Sequence, residues 1–302
     1  MSRPDTELTE KRTTEAAREA LVDFPHSADT DGLALIRIGS NAVYRLADEL
    51  VVRVTPPEIG ASTLVEQIKF ADWLETEGIA TSRPLVAEPV EVDGLLITFW
   101  EFIPGSDGAS VPRKSLGRLL RRFHEVTNGY QGPLPKWEPL GRMGERLQTV
   151  ICDESFTEED RAVLCSWRDL LVPRAKAMDP ELQTGPIHGD FHSGNIVNNR
   201  GVPFVLDFDR IARGPREWDL SQIAASSKFF GMTERDVDEF MIGYGWDPRA
   251  LPDWESLVQL RGLFMTTWLA TIPRSEGVRN ELESRMSYWR DPSGEYPDWS
   301  AV

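Results

Sequence analysis

The hydrophobic pattern of the chain changes near residue 103, and this change constrains the fold more than any other feature. Before it, the chain carries short β-rich runs, at 33–38, 42–46, 50–54, 85–92 and 95–102. Turn residues separate the runs, and Asp93-Gly94 is a strong hairpin signal. Apolar residues at helical spacing predict two helices in the same part, at 13–24 and 61–77. We therefore predict an antiparallel sheet with one main helix and an additional N-terminal helix.

The pattern becomes helical beyond a breaker-rich segment, Ile103-Pro104-Gly105-Ser106-Asp107-Gly108, which is the best linker candidate. Apolar residues then recur at helical spacing in several segments, at about 115–126, 139–151, 157–177, 217–230, 233–243 and 254–272. At 302 residues the chain is long enough to bury two cores. The predicted fold class is α+β, with a small N-terminal antiparallel-sheet lobe over 1–102 and a larger, mostly helical lobe over 103–302.

Composition narrows the functional classes. The formal net charge is −16, from 33 basic and 49 acidic residues, which argues against a nucleic-acid partner. No stretch approaches the roughly 18 apolar residues of a membrane span, and the first thirty residues have no signal-peptide core. We therefore expect a cytoplasmic protein without a membrane partner. Cys152 and Cys165 lack metal-ligand spacing, so neither a zinc site nor a disulfide framework is expected.

A spaced set of polar residues in the second half indicates the chemistry. His188-Gly189-Asp190 is followed by Asn195, and Asp207-Phe208-Asp209 ends an apolar run. Mg²⁺ prefers carboxylate, carbonyl and water oxygens, so Asn195 and Asp207 are suitable ligands. Asp190 lies between a glycine and a loop, where it can accept the proton of a hydroxyl. Taken singly these are turn residues, but their joint spacing is typical of a site that holds Mg·ATP and orients a hydroxyl.

At these residues the chain resembles the aminoglycoside phosphotransferase and choline kinase superfamily, whose fold is related to that of protein kinases. The resemblance rests on an ordered string of motifs: His188-Gly189-Asp190, Asn195, Val205-Leu206-Asp207-Phe208-Asp209, Gly214-Pro215 and Trp218-Asp219-Leu220. It implies ATP and Mg²⁺ as cofactors. By the resemblance, Asp190 is the catalytic base or orients the hydroxyl, and Asn195 and Asp207 ligate Mg²⁺.

The resemblance also assigns supporting roles. Asp209 would add a direct or water-mediated metal contact, and His188 and Asp219 would support the catalytic loop by hydrogen bonds. Residues 1–102 would form the nucleotide-binding lobe. Residues 103–302 would carry the catalytic loop, the metal site and the substrate site.

The first lobe contains candidate nucleotide-binding residues. Gly39-Ser40-Asn41, between two strands, resembles the family's reduced nucleotide loop, although a plain hairpin turn has the same composition. Arg53 stands on the third strand, where a protein kinase carries lysine, and arginine can bind phosphate oxygens bidentately. Its predicted carboxylate partner is Glu66 on the following helix. Gln67 is an alternative for that position, and Glu66 could equally be a solvated surface residue.

The segment from Thr98 to Ile103 resembles the hinge whose backbone binds adenine. Its apolar side chains, which include Trp100 and Phe102, would sandwich the base, while Glu101 would point away. A core strand would have a similar composition, so this interpretation rests on the position of the segment in the chain.

The substrate is predicted to bind to the helical lobe. The candidate contacts are Asp209, Trp246, Asp247, Trp254 and Trp268. Acidic and aromatic side chains can bind a cationic amine, and aromatic faces can also stack on sugar rings. The alternative is that Trp254 and Trp268 pack between helices.

Four functional hypotheses follow. The first is an O-kinase that acts on an aminoglycoside or another hydroxylated natural product, which would make antibiotic resistance the biological role. The second is a metabolic kinase for choline, an amino alcohol such as homoserine, or a sugar. The third is a silent nucleotide-binding module, which the joint presence of Asp190, Asn195 and Asp207 argues against. The fourth is a protein kinase, for which the short link from Asp207 to Trp218 leaves little room for an activation segment.

Overall fold

The computed structural model describes most of the chain. The described residues are 8–22, 24, 30–47, 50–141, 143–178, 184–272, 275–293 and 298–300. They form two compact units, each built from several stretches. The first unit holds the described residues of Met1–Val111, Gly129–Leu134 and Ser193–Arg210, and the second holds those of Pro112–Asn128, Pro135–His192 and Ile211–Val302. The predicted division after residue 102 differs from these units, most clearly at Ser193–Arg210, which belongs to the first.

Strands dominate the first third of the chain and helices dominate the rest, as the pattern predicts. The strands are β1 (Leu33–Ile38), β2 (Ala42–Leu46), β3 (Leu50–Thr55), β4 (Val90–Val92), β5 (Leu95–Glu101), β6 (Ser106–Asp107), β7 (Gly185–Ile187), β8 (Ile196–Asn199), β9 (Val202–Val205) and β10 (Ala212–Gly214). The helices are α1 (Glu10–Val22), α2 (Ala61–Thr76), α3 (Arg113–Thr127), α4 (Met143–Cys152), α5 (Glu158–Ala177), α6 (Glu217–Phe230), α7 (Glu234–Tyr244), α8 (Trp254–Leu269) and α9 (Glu276–Arg290).

The first unit is built on a five-stranded antiparallel sheet with the strand order β1-β2-β3-β5-β4. The turn between β4 and β5 is the predicted Asp93-Gly94, whose φ angles of 47° and 71° are both left-handed, as a type I′ hairpin requires. The small apolar side of α1, which includes Ala17 and Leu21, belongs to the same buried cluster as Val52 of β3 and Phe99 of β5. The predicted N-terminal helix therefore contributes to the core of the sheet.

One strand is shorter than predicted. β4 begins at Val90, whereas the β-rich run begins at Leu85. Pro89 has no N–H to donate to a ladder, so regular pairing starts only after it. Leu85 still donates its N–H to the carbonyl of Phe99 at 2.8 Å, which keeps this stretch beside β5.

The second unit is mainly helical, with the short antiparallel pair β7 and β10. α3 and α7 approach closely through glycine: a Cβ on Gly117 would lie 2.1 Å from the carbonyl oxygen of Phe240, and one on Gly243 equally close to that of Lys114. Any side chain at either position would force these helices apart. In the part of the chain that the structure describes, no helix has the length and apolar character needed to cross a membrane.

The last helix, α9, lies outside the helices predicted from the sequence. Its buried face carries Glu281 and Arg285, which form an ion pair at 2.6 Å and interrupt the apolar pattern. The same two side chains bond to Ser300, through Glu281 Oε2 at 2.8 Å and Arg285 Nη2 at 3.0 Å. Next to it, Trp299 stacks on Phe229 with ring centroids 4.3 Å apart. The described end of the chain is thus anchored in the second unit.

Candidate active site

The hairpin of β8 and β9, in the first unit, brings two predicted metal ligands to the same end. Ile196 pairs with Val205, and the Leu206 N–H donates to the carbonyl of Asn195 at 2.8 Å. Asn195 directly precedes β8, and Asp207 comes two residues after β9. Because the strands are antiparallel, the residues that flank their open end lie opposite each other.

Asp207 has a backbone conformation that few side chains adopt. Its φ is 66°, in the left-handed region, where aspartate is tolerated better than most residues. Such a conformation costs about 1 kcal/mol or more and persists only where the surroundings hold it. The turn residue Asp93 has the same kind of conformation, so this conformation fixes the backbone of Asp207 but does not by itself indicate a function.

Positively charged side chains from the sheet converge on the two carboxylates that follow β9. Arg53 Nη2 lies 2.8 Å from Asp209 Oδ2 and 3.5 Å from Asp207 Oδ1. Arg37 Nη2 lies 3.0 Å from Asp207 Oδ2, and Asn41 Nδ2 donates to Asp209 Oδ2 at 2.6 Å. Since one nitrogen of Arg53 serves both carboxylates, Asp207 and Asp209 form a single anionic cluster.

Arg53 is the more enclosed of the two cations. Its side chain is 13% exposed, compared with 52% for Arg37. Burial acts to lower the pKa of Arg53, but the charges of Asp209 and Asp207 outweigh it and raise the pKa. Arg53 is therefore a fixed positive charge beside the cluster.

The predicted ion pair between Arg53 and Glu66 needs correction. Glu66 bonds to Lys69 one turn further along α2, at 3.4 Å, and the described ion pairs of Arg53 go to Asp207 and Asp209. Two adjacent carboxylates attract the guanidinium more strongly than one helix glutamate can. The alternative partner, Gln67, is buried in α2.

The predicted nucleotide loop, Gly39-Ser40-Asn41, connects β1 and β2. Its residue Asn41 is buried and reaches Asp209, whereas the contact of the loop with phosphate stays a prediction. Arg37, two residues before the loop, is a further site residue that was not predicted. Its only sequence signal is a single charge in an otherwise apolar run, LALIRI.

The predicted hinge is partly committed to contacts inside the protein. Trp100 is 7% exposed, so its side chain belongs to the core. The Glu101 N–H donates to the carbonyl of Arg83 at 2.8 Å, and the Glu101 carbonyl accepts from Ser82 Oγ at 2.7 Å. The backbone of Glu101 is therefore bonded already. If the hinge binds adenine, Phe102 and its neighbour Ile103, both half-buried, are the hinge residues that would contact the base.

The loop that carries Asp190 lies in the second unit and follows β7. Asp219, 1% exposed, accepts hydrogen bonds from the N–H groups of His188 at 2.8 Å and Gly189 at 2.7 Å. The Asp190 side chain is 34% exposed. Asp219 thus fixes the backbone of this loop, and we call Asp219 and the side chains that support it the brace. The Asp190 carboxylate is partly open to solvent.

Two further residues of the brace were not predicted, His124 and Tyr244. His124 Nε2 lies 2.8 Å from Asp219 Oδ2, and its Nδ1 lies 2.9 Å from the Tyr244 hydroxyl. Burial raises the pKa of Tyr244 well above its ordinary value, so the hydroxyl keeps its proton and donates to Nδ1. The neutral His124 then carries its proton on Nε2 and donates to Asp219.

Arg261 holds the same loop from another side. This arginine is 1% exposed and lies on α8 among apolar residues. Its Nη1 donates to the Gly189 carbonyl at 2.8 Å, and its Nη2 donates to the Trp218 carbonyl at 2.7 Å. The guanidinium also lies 3.7 Å from the centre of the Trp218 ring. The sequence signal for Arg261 was a charged residue on an otherwise apolar helix face, because a buried arginine needs hydrogen-bond partners.

The brace makes stability depend on pH. Burial lowers the pKa of His124, and the hydrogen bond with Asp219 offsets this only in part. The unfolded chain takes up a proton near the ordinary value of 6.5, but the folded protein resists it, so this contribution is full above that pH and is lost below it. Burial alone would raise the pKa of Asp219, yet its bonds with His124 hold it below 3.8, so Asp219 adds to the loss only in stronger acid.

We therefore expect the free energy of unfolding in urea to fall as the pH is lowered from about 6.5 to about 5.5. One proton contributes at most about 1.4 kcal/mol per pH unit. The substitution His124→Gln removes the titrating group and should flatten this dependence. Equal slopes in the wild type and the variant would contradict the neutral state of His124.

The predicted substrate residues divide into different environments. Both carboxylate oxygens of Asp247 accept hydrogen bonds from Arg249, at 2.6 to 3.0 Å. The negative charge of Asp247 is therefore balanced by Arg249, and the pair fixes a turn. Trp254 is buried, which agrees with helix packing. Trp246 and Trp268 are half-buried in the second unit, while Asp209 belongs to the first. Among these, Trp246 and Trp268 stay candidates, and Asp247 is a poor one.

The structural comparisons show which solved proteins share this fold. A structure of the amicoumacin kinase hAmiN, in complex with AMP-PNP, Ca²⁺ and Ami, has a TM-score of 0.74 and 18% identity, covering 97% of this chain and 98% of that one. A microcompartment-associated aminopropanol kinase has a TM-score of 0.68 and 18% identity, covering 90% of this chain and 94% of that one. The predicted α+β class with a protein-kinase-like fold is confirmed.

The sequence comparisons identify the family. An uncharacterized protein of Deinococcus radiodurans is 23% identical over 235 residues, which cover 68% of this chain. The chain spans 65% of the length of that relative. The model of the phosphotransferase enzyme family matches residues 35–257, a range that contains the motifs from Arg53 to Asp219. The predicted superfamily is therefore confirmed: the chain belongs to the phosphotransferase enzyme family.

Proposed function

We propose that the protein transfers the γ-phosphoryl group of ATP, in a Mg²⁺-dependent reaction, to a hydroxyl of a small molecule. The observation that carries this proposal is the cluster of Asp207 and Asp209, which Arg53 contacts through one nitrogen. Asn195 lies at the same end of the hairpin of β8 and β9. Phosphoryl transfer depends mainly on such positioning and charge neutralisation.

The donor set fits magnesium. Within the described residues, no group of three or more His, Cys, Asp or Glu side chains could hold a metal ion. Mg²⁺ needs fewer protein ligands, because it is usually bound by one or two carboxylates together with waters and substrate phosphates. Asp207, Asp209 and the amide of Asn195 would hold it. Bound there, Mg²⁺ would neutralise negative charge on the phosphates.

Each remaining residue has a defined task in this proposal. Arg53, charged and enclosed, would bind phosphate oxygens. Asp190 would accept a hydrogen bond from the substrate hydroxyl, and then its proton as the oxygen attacks phosphorus. Asp219 and Arg261 would keep the Asp190 loop in one conformation, since they hold three of its backbone groups.

For the acceptor we propose a hydroxylated amine. Two proteins that share the fold are named as kinases of amicoumacin and of aminopropanol, and the second name describes an amine with a hydroxyl. The net charge of −16 would favour the approach of a cation. Both the natural-product and the amino-alcohol hypotheses fit this chemical class.

A screen for ADP release tests the proposal. Purified protein with ATP and Mg²⁺ would be given aminoglycosides, other antibiotics, amino alcohols and sugars in turn. We expect at least one hydroxylated amine to stimulate ADP release, and EDTA to abolish the stimulation. If no acceptor stimulates ADP release and ATP binding does not depend on Mg²⁺, the result would favour a silent nucleotide-binding module.

The substitution Asp207→Asn should weaken Mg²⁺-dependent nucleotide binding. It removes one charged ligand, and even indirect damage to a metal site commonly costs about 10- to 100-fold in affinity. Calorimetric titration of AMP-PNP at several Mg²⁺ concentrations measures the effect. Asp93→Asn is a matched control, because Asp93 occupies a turn position that asparagine also favours. Equal Mg²⁺ dependence in both variants would remove Asp207 from the site.

A further inference from the structure

Arg37 lies where the predicted nucleotide loop and the carboxylate cluster meet within the first unit. Its Nη2 is 3.0 Å from Asp207 Oδ2. Its Nη1 lies against Gly39, 3.8 Å from the place where a Cβ on that glycine would stand. The guanidinium therefore touches the carboxylate of a predicted metal ligand and also borders the loop predicted to meet phosphate.

Among the described ion pairs, the charges of the cluster balance without a metal ion. Asp207 and Asp209 contribute two negative charges, and Arg37 and Arg53 contribute two positive ones. A divalent cation on these carboxylates would leave an excess of positive charge, so a guanidinium has to find another partner. Arg53 is mostly buried and contacts both carboxylates, whereas Arg37 is 52% exposed and contacts Asp207. Arg37 is thus the cation that is released at the lower cost.

We propose that Arg37 is a phosphate-binding residue that exchanges partners: it leaves Asp207 when a metal–nucleotide complex arrives and binds the phosphates of the nucleotide. This inference rests on the proposed function and adds a residue and a coupling to it. Arg37 opposes a metal ion that arrives alone, because the two compete for Asp207. It favours a metal ion that arrives with a nucleotide, because the phosphates accept the released guanidinium.

The exchange predicts effects of opposite sign when Arg37 is neutralised. Arg37→Gln should tighten the binding of a metal ion alone by about two- to fivefold, the range expected when a partly exposed ion pair is removed. The same substitution should weaken the binding of the metal–nucleotide complex by about tenfold or more, because a charge-assisted bond to phosphate is lost. A residue with a purely structural role would shift both affinities in the same direction.

Mn²⁺ serves as the probe in place of Mg²⁺. Electron paramagnetic resonance of free Mn²⁺ gives the affinity for the metal alone, and calorimetry with Mn²⁺ and AMP-PNP gives the affinity for the complex. Both are measured for the wild type, Arg37→Gln and Arg37→Lys, which keeps the charge and should restore most of the wild-type values. Arg12→Gln is the control, since Arg12 bonds to Asp93 on the same unit, at 2.9 Å and 3.4 Å.

The outcomes separate this inference from the function on which it rests. Tighter Mn²⁺ and weaker Mn²⁺·AMP-PNP in Arg37→Gln, with Arg12→Gln like the wild type, would support it. Changes of the same sign, or none, in a protein that binds Mn²⁺·AMP-PNP would overturn the exchange and leave the proposed function intact. A wild type that binds no Mn²⁺·AMP-PNP would overturn the proposed function and the inference together.

Discussion

Replacing Asp190 by asparagine should lower kcat by about 10²- to 10⁴-fold, the usual contribution of a positioned general base. Asparagine keeps the size of the side chain but cannot take the proton of the hydroxyl. The loop should keep its conformation, because Asp219 and Arg261 hold its backbone and are unchanged by the substitution. The affinity for Mg·AMP-PNP should therefore stay close to that of the wild type.

Steady-state kinetics with an acceptor from the ADP-release screen measures the effect, and calorimetry with AMP-PNP checks nucleotide binding. Asp169→Asn is the control, because Asp169 is 68% exposed and pairs with its neighbour Arg168. Turnover near that of the wild type in Asp190→Asn would remove Asp190 from the reaction. Loss of nucleotide binding together with turnover would point to a collapsed loop instead.

The parts of the fold that follow from local patterns could be predicted from the sequence. The hairpin at Asp93-Gly94 needs two left-handed residues, and this dipeptide supplies them. α2 ends at Thr76, within one residue of the predicted end at 77, and Gly78 closes it with φ at 75° and a bond from the Ile79 N–H to the Leu74 carbonyl. α9 was not predicted because its buried face contains Glu281 and Arg285, charged residues that a helical pattern assigns to the solvent-exposed face.

A local sequence pattern could not predict the ion-pair partners of the charged side chains. Arg53 was placed near phosphate by its strand, yet its partner Asp209 lies 156 positions further along the chain. Periodicity shows which side of a strand is buried but not which carboxylate another segment brings to it. Glu66 was the candidate on the following helix, but Asp209, which follows the hairpin of β8 and β9, is the carboxylate that pairs with Arg53.

The brace of the Asp190 loop also could not be predicted from a local sequence pattern. His124, Tyr244 and Arg261 are buried and lie on three helices. His124 bonds to Asp219, Tyr244 bonds to His124, and Arg261 bonds to the loop backbone. A motif names Asp219 and Asp190, but it does not name the side chains that close the network. These appear only when helices far apart in sequence pack together.

Replacing Asp219 by asparagine should destabilise the protein by about 3–5 kcal/mol, the usual result of removing one partner of a buried charged network. The carboxylate accepts from three donors: the N–H groups of His188 and Gly189, and His124 Nε2. An asparagine amide offers one oxygen, and its NH₂ group would face a donor. At least one N–H of the loop would then be buried without an acceptor.

Urea unfolding at about pH 7.5 measures this loss, and Asp169→Asn should unfold like the wild type. The double variant Asp219→Asn with His124→Gln gives a sharper test, because the amide oxygen of glutamine can accept from the new NH₂ group. If the network carries the effect, the double variant should be more stable than the two single losses added together. Strict additivity would mean that His124 and Asp219 act independently, and that the bond between them contributes nothing to the loop that presents Asp190.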